Sequence, residues 1–338
     1  MQRRRDPVER ADEESRDLYD VSTWEPRSVV DNLAYSVYNA ISYGFRTLVL
    51  LVAFVITLFL LIQPTVLVLD DPSLTLFFAL SFVPAGLLAA FIWHSDITEN
   101  EPLGLLVATF ILAILFATFA AVVNSFFGPP LQAIPIIGTA LFFYLIVGPV
   151  EEAVKLLAVR VFAYRSETFD AVIVGTVYGA VAGLGFAAFE NTLYISGEVI
   201  AAQPENGVVS AATGIATVRA LVGPGHVIYS AIAGYYLGLA KFNPQYAGPL
   251  VAKGLLIAAF VHATYNTLSW LGAPIVIAAV TPLSPGLAFI VYVVGFNLVI
   301  GYYLYRKIAR YRRTYRAVRD DTSGPPTPEL TEFEPPRR

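Results

Sequence analysis

The sequence predicts an all-α fold, a polytopic membrane bundle of about eight transmembrane helices, and three observations carry that expectation. Of the 338 residues, 56% are hydrophobic and only 14% charged, against roughly 45–50% and about 25% in soluble domains. Mean hydropathy is +0.63. Eight apolar segments approach the ~20 residues needed to cross a bilayer core about 30 Å thick. The chain has no cysteine, which excludes disulfides, thiolate metal ligands and cysteine nucleophiles. A net charge of −4 with no concentrated basic face argues against nucleic acid as a partner. The expected surroundings are the lipid bilayer of a cell membrane, crossed many times.

The chain divides into three parts. Residues 1–46 are a polar, acidic tail in which Leu33, Val37, Ile41 and Phe45 recur every four residues. That spacing fits either a short helix lying on the membrane surface or a plain linker. Residues 47–305 carry the spans, near Thr47–Leu69, Leu74–Trp93, Leu103–Phe127, Ile134–Ala163, Asp170–Ile195, Ala212–Ala240, Pro249–Leu271 and Leu283–Tyr305. Residues 306–338 begin with a basic juxtamembrane run, Arg306 to Arg319, and end in a Pro-rich stretch of disordered composition. Seven bases lie in the first 46 residues and nine from Arg306 onward. The connections around Asp70–Asp71, Gly128–Pro129, Gly197–Ser210 and Gly272–Thr281 contain neither lysine nor arginine. Both termini are therefore expected in the cytoplasm.

Charged groups at bilayer depth cost at least ~2.5–3.5 kcal/mol each on insertion scales, so each needs a reason. The fourth span contains Gly148-Pro149-Val150-Glu151-Glu152-Ala153-Val154-Lys155. Glu151 and Lys155 are i,i+4 and share a face. Glu152 is rotated by about 100° and is expected to meet a different neighbour. The Gly-Pro pair predicts a kink. In the fifth span Gly175, Gly179 and Gly183 make a small-residue stripe that admits a second helix, and its continuation turns Glu190 into the bundle. In the sixth, Arg219, Gly223 and His226 share a face, and Gly223-Pro224-Gly225 reads as a helix-breaking triplet. In the seventh, His262 and Asn266 share a face, while His94 beside Trp93 reads as an interfacial residue. Four adjacent spans with ionisable groups make a catalytic or an ion-translocating constellation. Along straight helices Glu190 lies shallower than His262, and helix breaks would be needed to level them.

At these residues the sequence resembles the PrsW family of intramembrane proteases, relatives of the CAAX-prenyl-protease and bacteriocin-processing membrane proteins. Two glutamates followed by a lysine read Glu151-Glu152-Ala153-Val154-Lys155. The phenylalanine four residues before a glutamate reads Phe186-Ala187-Ala188-Phe189-Glu190, with Asn191 after it. His226 matches the histidine in a Gly-rich helix start, and His262 with Asn266 matches the last motif. The acidic stretch Asp96 to Glu101 before Pro102 is similar too, and the likeness covers roughly residues 78–300.

The resemblance implies an intramembrane endopeptidase acting on membrane-anchored proteins, an anti-sigma factor being one type of substrate. Like charges at Glu151 and Glu152 favour a carboxylate that accepts protons, with Lys155 opposing. Glu151 is expected as the general base, with Glu152 fixing water or a metal. His226 and His262 are expected as metal ligands or oxyanion donors, and Glu190 as the third ligand or a substrate positioner. Asn266 would orient His262 or hold substrate backbone. Zinc suits such a set, although a glutamate and histidines also activate water without metal. The other readings are a proton- or cation-coupled transporter built on the same buried acids and histidines, and a catalytically inactive scaffold that binds a single-pass partner.

Overall fold

The computed structural model describes residues 17, 25–97, 101–202 and 207–321. The Pro-rich tail after 321 and most of the acidic start lie outside the described residues. Among the described residues there is no strand. The helices are α1 (Val29–Asp70), α2 (Leu74–His94), α3 (Leu103–Gln132), α4 (Gly138–Phe142), α5 (Gly148–Val161) and α6 (Val172–Ala201). They continue with α7 (Val208–Phe242), α8 (Ala247–Trp270), α9 (Ala273–Val280) and α10 (Pro285–Asp321). Seven of these described helices are long and apolar enough to cross a membrane: α1, α2, α3, α6, α7, α8 and α10.

The expected fourth span has a different build. Residues 138–161 form one helical path of three pieces, α4, a π-helical turn Phe143–Val147, and α5. No single piece is as long as a span. The π turn has a local cause, because Pro149 has no N–H to give and its ring crowds the preceding turn. Gly148 donates to the Phe143 carbonyl five residues back instead. Here the expected kink takes the form of a wider, underwound turn placed directly before the Gly-Pro pair.

Residues up to 66 and from 67 onward form separate compact units. In the first, α1 starts at Val29, well before the apolar run that begins at Thr47. Its start is a reciprocal cap in which Asp31 N–H donates to Ser28 Oγ at 3.0 Å and Ser28 N–H to Asp31 Oδ2 at 2.8 Å. Residues 33–45 therefore belong to one helix continuous with the first span. At the far end, the basic run continues the last span as a single helix, α10.

In the second unit α6 is the most enclosed helix, and α7 packs along it. A Cβ added to Gly175, Gly179 or Gly183 would lie 2.3, 2.3 and 2.4 Å from the carbonyl oxygens of Gly234, Ser230 and His226. Only glycine permits that approach, so the stripe fixes both the distance and the rotation of α6 against α7. Leu74, Ile195, Val199, Ala212 and Ala216 close one end of this contact with a small apolar cluster. The Gly223-Pro224-Gly225 triplet does not break α7, which runs unbroken from Val208 to Phe242. Asn297 Nδ2 donates to the Leu221 carbonyl at 3.2 Å, next to the one that Pro224 leaves without its helical partner.

Candidate active site

Three helices bring the charged groups together. α5 supplies Glu151, Glu152 and Lys155, α7 supplies Arg219 and His226, and α8 supplies His262; all six are buried. α6 adds Glu190, whose side chain keeps 21% of its surface open.

Lys155 is the hinge of the arrangement. Its Nζ donates to Glu152 Oε1 at 2.7 Å and to His226 Nδ1 at 3.0 Å, and it lies 4.1 Å from the centre of the Phe186 ring. Glu151 Oε2 is 3.9 Å away. The i,i+4 pairing expected of Glu151 and Lys155 is thus the weaker one, and the tight partner is Glu152 at i,i+3. Glu152 is also saturated from other helices: His262 Nδ1 lies 3.0 Å from Oε1, and Ser230 donates to Oε2 at 3.2 Å.

The tautomers follow from donor and acceptor chemistry. An ammonium only donates, so His226 accepts at Nδ1 and carries its proton on Nε2, facing Glu190 Oε2 at 3.0 Å. A carboxylate only accepts, so His262 donates from Nδ1 to Glu152; in the neutral ring this leaves Nε2 bare, 3.7 Å from Glu151 Oε2. The two imidazole rings meet edge to face at 5.2 Å. Glu151 Oε1 accepts from Asn124 Nδ2 at 3.0 Å, while its Oε2 is buried with no hydrogen-bond partner among the described residues.

Glu190 reaches the same layer as His226. α6 extends six residues past the expected end at Ile195, which adds about 9 Å of helix beyond it. No break in α7 is needed to level the groups. Arg219 donates to Glu190 Oε2 at 2.5 Å and to Asn191 Oδ1 at 2.7 Å, and Asn191 is anchored in turn on the Ser81 carbonyl at 3.0 Å. The polar groups therefore form one connected chain through the bundle: Arg219, Glu190, His226, Lys155, Glu152 and His262. Sequence reasoning placed Arg219 on the face of His226 without giving it a role, and it passed over Asn124. The signal for Arg219 was its charge at bilayer depth; an amide such as Asn124 gives almost none.

A cavity of about 440 Å³ opens on this layer. Glu151, Glu190, His226, His262 and Asn266 line it, whereas Glu152 and Lys155 do not. The remaining lining includes Asn124, Tyr194, Val218, Ser269 and Trp270. All five lie toward the helix ends that carry the α3–α4, α6–α7 and α8–α9 connections, so the cavity extends to one end of the bundle. Ligand atoms of Glu151, His226 and His262 lie within 4.8 Å of one another. Three carboxyl groups and two fixed cations share this layer.

Fold and site together define a multi-pass membrane protein with an acid–base centre sunk in its helix bundle. The family model described as PrsW family intramembrane metalloprotease matches residues 101–299. Protease PrsW of Halalkalibacterium halodurans is 28% identical over 190 residues, 56% of this chain and 80% of that protein. Protease PrsW of Geobacillus kaustophilus is 31% identical over 192 residues, 55% of this chain and 76% of its own. Protease PrsW of Bacillus subtilis is 27% identical over 186 residues, covering 54% and 78%. No solved structure matches. The chain belongs to the PrsW family. It is an intramembrane protease, and the transporter reading is set aside.

Proposed function

We propose that the cavity hydrolyses one peptide bond of a membrane-anchored protein, with Glu151, His226 and His262 at its reaction centre. The observation that supports this most is the convergence of those three donor groups on a cavity open at one end of the bundle. The donor set also fits the metal that the family description implies. Two imidazoles and one carboxylate are ligands that zinc takes in catalytic sites, and the Glu151 Oε2 atom is a buried acceptor without a hydrogen-bond partner among the described residues. His262 is ready through its bare Nε2, its other nitrogen being fixed by Glu152. His226 would exchange one of its present bonds, to Lys155 or to Glu190. When bound, the metal supplies Lewis-acid polarisation and a more acidic water.

In this reading the two outer carboxylates trade the roles expected from sequence, because ligand atoms of Glu151 and both imidazoles lie within 4.8 Å of one another, a set that does not include Glu190. Glu190 is held through Oε2 by Arg219 and His226. Its Oε1 makes no hydrogen bond among the described residues and is the oxygen free to take a proton from water and return it to the leaving amine. Glu152 and Lys155 touch no substrate; they orient His262 and His226. Asn266, one turn beyond His262 on the cavity wall, faces the substrate backbone.

A second reading keeps Glu151 as the base, with the two histidines as oxyanion donors, and the unpartnered Glu151 Oε2 favours it. Metal content of purified protein separates the two. If Glu151 is a ligand, Glu151→Gln loses both metal and cleavage, while Glu190→Gln keeps metal and loses cleavage. If Glu151 is the base, Glu151→Gln retains a full complement, or the metal-free protein is fully active.

The bases flanking the spans support cytoplasmic termini, and with that orientation the cavity mouth faces the opposite side. Because the chain has no cysteine, single labels are clean. Ser73→Cys should react with an impermeant thiol reagent on intact cells and Thr314→Cys only after lysis; the reverse pattern overturns the orientation.

A further inference from the structure

Asn124 on α3 has a job that its place in an apolar span does not reveal. Its Nδ2 donates to Glu151 Oε1 at 3.0 Å, and its Oδ1 is shielded, with no hydrogen-bond partner among the described residues. The direction of the amide is not arbitrary. A carboxylate oxygen only accepts, so turning the amide over would set oxygen against oxygen. The nitrogen is thereby pinned on Glu151 and the oxygen is left as an unused acceptor on a residue that lines the cavity.

A peptide bond presented for hydrolysis inside a bundle brings unmatched N–H groups with it. A span unwound around its cleavage site loses helical partners for several amides, and groups on the cavity wall must help replace them. The cavity wall is rich in aromatic rings, so each polar acceptor on it counts for such amides. We propose that Asn124 is a substrate-binding residue: its Nδ2 fixes the Glu151 carboxylate with Oε2 turned to the histidines, and its Oδ1 accepts a backbone N–H of the substrate beside the scissile bond. It grips the chain from α3, a different helix from the one that carries Asn266. This rests on the peptidase reading of the cavity, whichever role Glu151 has there.

The test uses the full-length protein in lipid vesicles and a single-span peptide with a donor–quencher pair across its cut site. A set of otherwise identical peptides replaces one backbone N–H at a time by an ester oxygen near the cut, deleting one donor each. With wild type, one ester position adjacent to the scissile bond should raise KM about tenfold. Asn124→Ala should lower kcat about tenfold or more on the parent peptide and raise its KM. The same variant should be indifferent to the ester at that position, because its acceptor is gone. An ester profile that is flat in wild type, or unchanged in Asn124→Ala, overturns the proposal, and so does a variant with normal kcat and KM. Failure of the underlying reading looks different: wild type cleaves no single-span peptide, or Glu151→Gln cleaves as wild type does, and the proposal then falls with it.

Discussion

Two cavities of nearly equal size flank α7. The first, about 440 Å³, carries Glu151, Glu190, His226 and His262. The second, about 450 Å³, lies between α2, α7 and α10, and its walls include Pro84, Leu88, Leu221, Ile228, Leu298 and one amide, Asn297. One helix thus presents a reactive face and an inert one. The difference is chemical rather than volumetric: empty space inside a membrane protein is filled by lipid tails or side chains at little cost, whereas buried charge persists only where something depends on it. Removing groups from the first wall should therefore be expensive and removing them from the second nearly silent.

The largest stability effect is expected at Lys155. It neutralises Glu152 and holds His226, so Lys155→Met leaves a carboxylate buried without its cation. The loss should be about 3–5 kcal/mol, read as a large fall in melting temperature in detergent micelles or as failure to accumulate. Glu152→Gln/Lys155→Met, which removes both charges, should recover much of it. Gly179→Ala comes next. Its Cβ would meet the Ser230 carbonyl at 2.3 Å, and pushing α6 off α7 should cost about 1–3 kcal/mol.

Glu101 extends the comparison to the membrane edge. It precedes α3, is buried, and has its Oε2 without a hydrogen-bond partner among the described residues. Burial, helped by the neighbouring Asp96 and Asp170 charges, pushes its carboxyl up to about 7. A raised carboxyl pKa means that the folded state holds the proton longer than the unfolded one. The associated stability is complete below the ordinary carboxylate pKa and fades as pH rises through about 7. Melting temperature should fall from pH 5 to pH 8 more in wild type than in Glu101→Gln; equal slopes would remove Glu101 from the account. Asn297→Leu in the second cavity should have the smallest effect. It gives up one long hydrogen bond to Leu221, and stability and cleavage should stay within about 1 kcal/mol and twofold of wild type.

The spans and the buried charged residues were legible because charge inside an apolar run stands out against its background. Glu151, Glu152, Glu190, His226 and His262 each stand in an otherwise apolar helix, and the structure brings all five into one layer. The glycine stripe on α6 was legible for a similar reason, since a four-residue spacing of glycines implies a close helix. What escaped depended on rotation and depth between helices. Lys155 chose Glu152 over Glu151 because α7 and α8 draw Glu152 inward through Ser230 and His262. Pro224 did not break α7, because the helices packed around a span hold its path where a proline removes a single backbone bond. The early start of α1 was written in Ser28 and Asp31, but a capping pair is a faint signal beside an apolar run that begins many residues later.

The central claim is that peptide hydrolysis happens at the layer formed by Glu151, His226 and His262. The most direct measurement is cleavage of a single-span fluorogenic peptide by wild type and Glu151→Gln in matched vesicles, with Asn297→Leu and His94→Ala as controls. Glutamine keeps the shape of the carboxylate and the link to Asn124 while losing its charge and its capacity to take a proton. The account predicts a loss of ~10³-fold or more in Glu151→Gln, with its melting temperature retained and both controls near wild type. Cleavage by Glu151→Gln at close to the wild-type rate would contradict it.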